Sequence, residues 1–170
     1  MNAINKRSFL ATLIGTLLCV GSLGASAKDA PAGPPDWAVP FDAGLACQFA
    51  LTLEGWEGRL NTRVFTDNDG NQNTVLTGKG HDFRFTNALT GRTAFQKSQG
   101  VRQQITTYPD GSLKYTTSGA LLLIMFPTDI PAGPSTTYYN GHTVLSITAD
   151  GVGTLEPPRG HSRDICAELS

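Results

Sequence analysis

The sequence predicts an all-β domain, a small antiparallel β-barrel of about eight strands, with a β-sandwich as the alternative. Three observations carry this. From Cys47 onward no stretch keeps a helical apolar period, and short β-prone segments alternate with turn signals. Asp-Gly pairs recur at Asp69-Gly70, Asp110-Gly111 and Asp150-Gly151, at offsets of 41 and then 40 residues; an antiparallel meander spaces its turns in this way. Residues 120–126 (ALLLIMF) form the only long uninterrupted apolar run beyond the N-terminal region, as expected of a central strand.

Residues 1–27 read as a secretory signal peptide. Lys6 and Arg7 supply the charged region, residues 9–23 the apolar region, and Ala25-Ser26-Ala27 the small-residue cleavage site. A membrane anchor is the weaker reading, because glycines and polar residues cut the apolar stretch short of the ~20 residues a spanning helix needs. Cys19 raises lipidation, but Thr16-Leu17-Leu18 lacks the small residues expected just ahead of a lipidated cysteine. Cleavage after Ala27 leaves 143 of the 170 residues, one ordinary domain with room for a real core. Loss of Lys6 and Arg7 takes the net charge from −1 to −3. The charges are scattered, so the sequence offers no footprint for nucleic acid and no basic run for anionic lipid.

The mature chain keeps two cysteines, Cys47 and Cys166. In an exported protein the default is that they pair; two free thiols or a redox pair are the alternatives, and no C-x-x-C favours the second. The domain expected to be closed by this disulfide is 47–170. Ahead of it, residues 28–46 carry Pro31, Pro34, Pro35 and Pro40 and read as an extended leader. Trp37, Val39 and Phe41 are large for a spacer, so the leader is expected to lie back on the barrel, against the alternative of a disordered arm.

Within the domain, Phe49, Leu51 and Leu53 alternate with smaller or more polar residues as a half-buried strand does. Residues 60–66 run into the turn at Asp69-Gly70. Residues 74–86 resume extended structure, with Gly78 and Gly80 marking a bulge or bend. Residues 93–98 and 101–108 give two further strands, and Pro109-Asp110-Gly111 the next turn. Residues 113–118 lead into the central run, residues 127–134 break it, and residues 136–139, 143–149 and a short segment from Leu155 complete the set. The 41-residue offset also aligns Gly78 with Gly119 and Phe85 with Phe126. That alignment predicts equivalent strands for Phe83/Phe85 and Ile124/Phe126.

The central run poses a packing problem. Leu121, Leu123 and Met125 face one way, and Leu122, Ile124 and Phe126 the other, whereas an antiparallel sheet normally leaves one face wet. Cover must come from the leader, from a second copy, or from a small apolar ligand or other hydrophobic partner. Trp37, Phe41, Leu122, Ile124 and Phe126 therefore form the candidate interaction patch.

Catalytic and metal chemistry finds little support. Asp67, Asp69, Asn71 and Asn73 faintly resemble a calcium loop, but Gln72 and Gly78 stand where that loop needs glycine and glutamate. His81, His142 and His161 have no zinc spacing. Glu54 and Glu57 flank Trp56 beside two glycines and read as solvated charges. Ser146 and Ser162 lack a nucleophile elbow, and Asp164 reads as a local cap or turn residue. No cofactor is implied.

The segments GKGHDFRFTNALTG (residues 78–91), FPTDIPAGPSTTYYNG (126–141) and DICAELS (164–170) resemble a group of small exported proteins of actinomycete-type bacteria. The resemblance spans roughly residues 47–170 and is most specific in FPTDIPAGP and the two cysteines. It implies an exported β domain with a terminal disulfide, and it carries no reaction and no functional residue. The leading functional expectation is a non-enzymatic binding or surface-interaction module. A cavity-bearing, cyclase- or isomerase-like barrel enzyme would need polar groups such as Arg63, Arg84 or a histidine to converge. A structural envelope protein, self-associating through the central strand, is the third reading.

Overall fold

The structure, a computed structural model, describes residue 31 and residues 33–170. The expected signal peptide, Cys19 and the first leader residues lie outside the described residues. Eleven strands and one short helix build two antiparallel sheets. The smaller sheet runs β1 (Trp37–Phe41), β2 (Leu51–Trp56), β5 (Asp82–Asn87), β6 (Thr93–Gln96). The larger runs β3 (Arg59–Thr66), β4 (Gln72–Lys79), β7 (Gly100–Thr107), β8 (Leu113–Met125), β9 (Ser135–Ile147). The far side of β9 is shared by β10 (Gly153–Leu155) and β11 (Arg159–Asp164), and α1 (Ile165–Leu169) ends the chain. Among the described residues no pairing joins the outer strands of either sheet, so the expected closed barrel is not formed by this ladder. The strands also exceed the expected eight: the leader and the C-terminal segment both pair, and residues 74–86 divide into β4 and β5, while 136–139 and 143–149 join in β9.

The three Asp-Gly turns are one turn used three times. Asp67, Tyr108 and Thr148 each donate their N–H to the carbonyl four residues on and accept from the glycine three residues on. The glycines, Gly70, Gly111 and Gly151, hold φ between 82° and 90°, a conformation that costs other residues a steric penalty. Each turn closes a hairpin at the same end of the larger sheet.

The β8–β9 ribbon is thirteen residues long, about 43 Å if straight. Its tip nevertheless reaches back to its base. Asp129, in the tip loop, accepts from the N–H of Phe126 at 2.7 Å and of Gly153 at 2.8 Å, and Leu155 donates to Ile130 at 2.8 Å. Gly153 and Leu155 in turn pair with Ile147 and Leu145 at the base. The ribbon must therefore curl, and the bend falls on glycine. Gly119 (φ 99°) and Gly141 (φ 157°) pair directly midway along it, in one row with Gly78 and Gly160. At each of the four, a Cβ would run into a carbonyl oxygen of the neighbouring strand.

The curl answers the packing problem of the central run. On one face Leu122 and Ile124 pack against a core of Leu51, Leu53, Phe85, Ala94, Ile165 and Leu169 between the sheets. On the other, Leu123 and Met125 meet Leu145 with Tyr115, Tyr139, Ile147 and Leu155. The leader contributes to the first core as a strand. All of β1 pairs with β2, Trp37 and Phe41 pack against that core, and the Trp37 indole lies over Gly55 where a side chain would collide with it. Phe83 and Phe85 lie on β5 of the smaller sheet and Ile124 on β8 of the larger, with Phe126 just past its end. Phe83, Phe85 and Ile124 face one core from opposite sheets and Phe126 lies outside it, so the equivalence expected from the 41-residue offset is corrected: shared turns did not require shared strands.

Cys47 and Cys166 form a disulfide across 119 residues, with Cα atoms 5.5 Å apart. It ties α1 to the segment before β2. Beside it, Thr136 Oγ1 donates to Ala46 O at 2.9 Å, and Asp164 caps α1 by accepting from Ala167 N–H at 3.0 Å.

Candidate functional site

Where the sheets diverge beside the glycine row, a half-open cavity of about 230 Å³ lies between them. Its walls are mainly apolar: Leu60, Leu76 and Val101 from the larger sheet, Ala120 to Leu122 from β8, and Phe83 from the smaller sheet. Polar groups enter at a few points, namely His81, Ser98, Gln99, Gln103 and Tyr138. The β4–β5 and β6–β7 connections bring in His81 and Ser98. Tyr138 comes from β9, paired with Leu122.

Two of these polar groups stand out. Ser98 and Tyr138 are 9% and 6% exposed, and neither Ser98 Oγ nor the Tyr138 hydroxyl has a hydrogen-bond partner. Buried hydroxyls in native proteins are nearly always paired, and an orphan costs roughly 1–3 kcal/mol. Gln96 gives its amide N–H to Lys97 O and its oxygen to Arg163, and Gln103 donates to Thr117 Oγ1. Burial pushes the Tyr138 phenol above its ordinary pKa; the Gln96 amide opposes that rise and the Asp82 carboxylate adds to it. Ser98 and Tyr138 thus line a mainly apolar cavity, with their hydroxyl oxygens buried just behind its wall.

His81 is held by stacking rather than by charge. Its ring lies 5.9 Å from Trp37, edge-on at 67°, and 5.9 Å from Phe83. Burial raises the pKa of neighbouring Asp82, but the Ser98 hydroxyl and N–H (the latter donating at 2.6 Å), with Lys79 and Lys97, outweigh it and keep the carboxyl low. Ser98, His81 and Asp82 therefore share a neighbourhood without forming a relay. The Ser98 N–H makes the hydrogen bond to the carboxylate, the Ser98 hydroxyl stands close enough to lower that carboxyl without completing a second bond, and no hydrogen bond links Ser98 Oγ to the imidazole.

Of the candidate interaction patch, Trp37, Phe41, Leu122 and Ile124 all pack against the inter-sheet core, and Leu122 also lines the cavity. Phe126 lies apart at 40% exposure. Arg63 and Arg84 do not converge on the cavity. Arg63 lies over Phe65, whereas Arg84 makes a two-bond ion pair with Glu54 and lies 5.4 Å over Trp56. Asp67 accepts from Asn71, Asn73 and Asp69 N–H as a hairpin turn does. No group of three metal-ligating side chains assembles among the described residues, and no described helix is long and apolar enough to cross a membrane. Sequence reasoning missed Ser98 and Tyr138. Tyr138 was legible as a strand residue, but nothing in the sequence marks a hydroxyl as unpaired. The chain matches no family model, no curated protein and no solved structure.

Proposed function

We propose that this protein is a non-enzymatic binding module whose inter-sheet cavity takes one small, uncharged, ring-sized molecule bearing a hydroxyl or carbonyl group. The observation that carries this reading is a mainly apolar cavity between the sheets whose few polar lining residues include Ser98 and Tyr138, the hydroxyls of which are buried without a hydrogen-bond partner. An acceptor on the ligand satisfies the tyrosine, and the serine can donate or accept. Size sets the ligand class. A cavity of about 150 Å³ holds benzene and drug-sized ligands fill ~300 Å³ or more, so about 230 Å³ suits one substituted ring. No carboxylate, lysine or arginine lines the wall, so a neutral ligand avoids burying an unpaired charge. Among the described residues of the cavity no nucleophile is hydrogen-bonded to a base.

Export belongs to the same proposal, as does kinship with the exported group that FPTDIPAGP resembles. The disulfide is compatible with an oxidising compartment. Native mass spectrometry of protein isolated without denaturation, beside thermal melts with p-cresol, tests the cavity. The reading expects an added small mass that is lost on unfolding, or a rise in melting temperature with p-cresol, and neither in an Ala120→Phe variant. A bare spectrum together with no stabilisation by millimolar p-cresol overturns it.

A further inference from the structure

The larger sheet carries a second surface, independent of the cavity. Strands β3, β4, β7 and β8 contain five cations, Arg59, Arg63, Lys79, Arg102 and Lys114, and no Asp or Glu. Scattered along the sequence, they form no run. Register gathers them. Arg59 pairs with Lys79, Lys79 with Gly100, Thr77 with Arg102, and Thr106 with Lys114, and side chains alternate along each strand, so all five fall on one face. Side-chain contacts agree: Arg63 lies over Phe65, two residues on, and Gln104 and Thr106 both donate to Asn73 on that face.

This arrangement is costly unless it serves something. Arg59 stands directly opposite Lys79, and like charges across a strand pair destabilise a sheet. None of the five belongs to an ion pair; those found among the described residues are Glu54–Arg84 and Arg163–Glu168. The acids that flank the face, Glu57, Asp67, Asp82 and Asp110, lie outside these four strands, and of them Asp82 feels the charge of Lys79. Four of the cations are exposed and Lys114 is partly so. The mature chain is expected to be net negative, so the face is a local positive field on an acidic molecule.

We infer that this face docks a linear anionic glycan. Charge complementarity sets the sign. The spaces between the cations choose the polymer: Asn61, Thr77, Gln104, Thr116 and Ser118 supply amides and hydroxyls that suit sugar hydroxyls and acid groups. A lipid surface calls for apolar anchors among the cations, and Phe65 is the one large exposed apolar side chain on the face.

Binding of a heparin octasaccharide to the full protein at several salt concentrations tests the inference. Expected are binding that weakens as salt rises and at least a tenfold loss in an Arg59→Ser/Arg63→Ser/Arg102→Ser variant. Lys97→Ser, off the face, should bind as wild type, and circular dichroism should show each variant folded. Binding unchanged in the triple variant, or no binding at low salt, overturns the inference. Phosphatidylglycerol vesicles or single-stranded DNA captured in preference to the octasaccharide would overturn the glycan in favour of that partner.

Discussion

Gly119 sits midway along β8 with φ 99°, and a Cβ there would meet the carbonyl oxygen of Gly100 on the next strand. Gly119→Ala should therefore cost at least ~2 kcal/mol in urea unfolding, from backbone strain and steric conflict together. Its value as a bend was half legible, since glycine inside a strand pattern signals one and the 41-residue offset aligns it with Gly78; that Gly141 and Gly160 join the same row emerges only from strand register. Tyr138 makes the opposite case. Tyr138→Phe removes a buried hydroxyl that bonds nothing, so the variant should be as stable as wild type or up to ~1 kcal/mol more so. Its raised pKa gives a pH signature. The folded state holds the phenolic proton more tightly than the unfolded chain, so this contribution is complete below the unfolded value near 10 and is lost as pH climbs through the folded one. Wild type should lose more stability than Tyr138→Phe in alkaline melts.

Among the elements, the β2–β5 pair shows how the outer face of the smaller sheet is held. Glu54 and Arg84 are register partners, joined by two hydrogen bonds. The Arg84 guanidinium keeps the Glu54 carboxyl below its ordinary value, with burial opposing. A lowered folded pKa gives stability that is present above the unfolded value of 4.5 and fades as pH falls through the folded one. The pair is partly solvated, so Glu54→Gln should cost under ~1 kcal/mol at neutral pH. The gap to wild type should close in melts taken below pH 4.5. At this scale the Asp-Gly hairpins and the central strand could be read from the sequence because turn chemistry and apolar runs are local signals. The pairing of residues 37–41 as β1 could not, because Pro40 and the surrounding prolines mask a strand that exists through its contact with β2 and the seat of Trp37 on Gly55.

For the whole molecule, all-β class and the Cys47–Cys166 link follow from composition and cysteine count, whereas closure depends on which edges meet. Two sheets, one curled by glycine, replaced the single barrel and left a cavity at their junction. The disulfide closes most of the domain. In the chain-entropy view its removal costs roughly 4–5 kcal/mol, often less in practice. A Cys47→Ser/Cys166→Ser variant should therefore unfold at markedly lower urea than wild type, and wild type should fall to the same midpoint in reductant. The cavity between the sheets is proposed to bind a small neutral ring. An NMR titration of ¹⁵N-labelled protein with p-cresol tests it most directly. Binding in the cavity should give saturable shifts concentrated at Ser98, Val101, Gln103, Ala120, Leu121 and Tyr138, lost in Ala120→Phe. Shifts spread over the exposed surface, or identical in the filled-cavity variant, would contradict it.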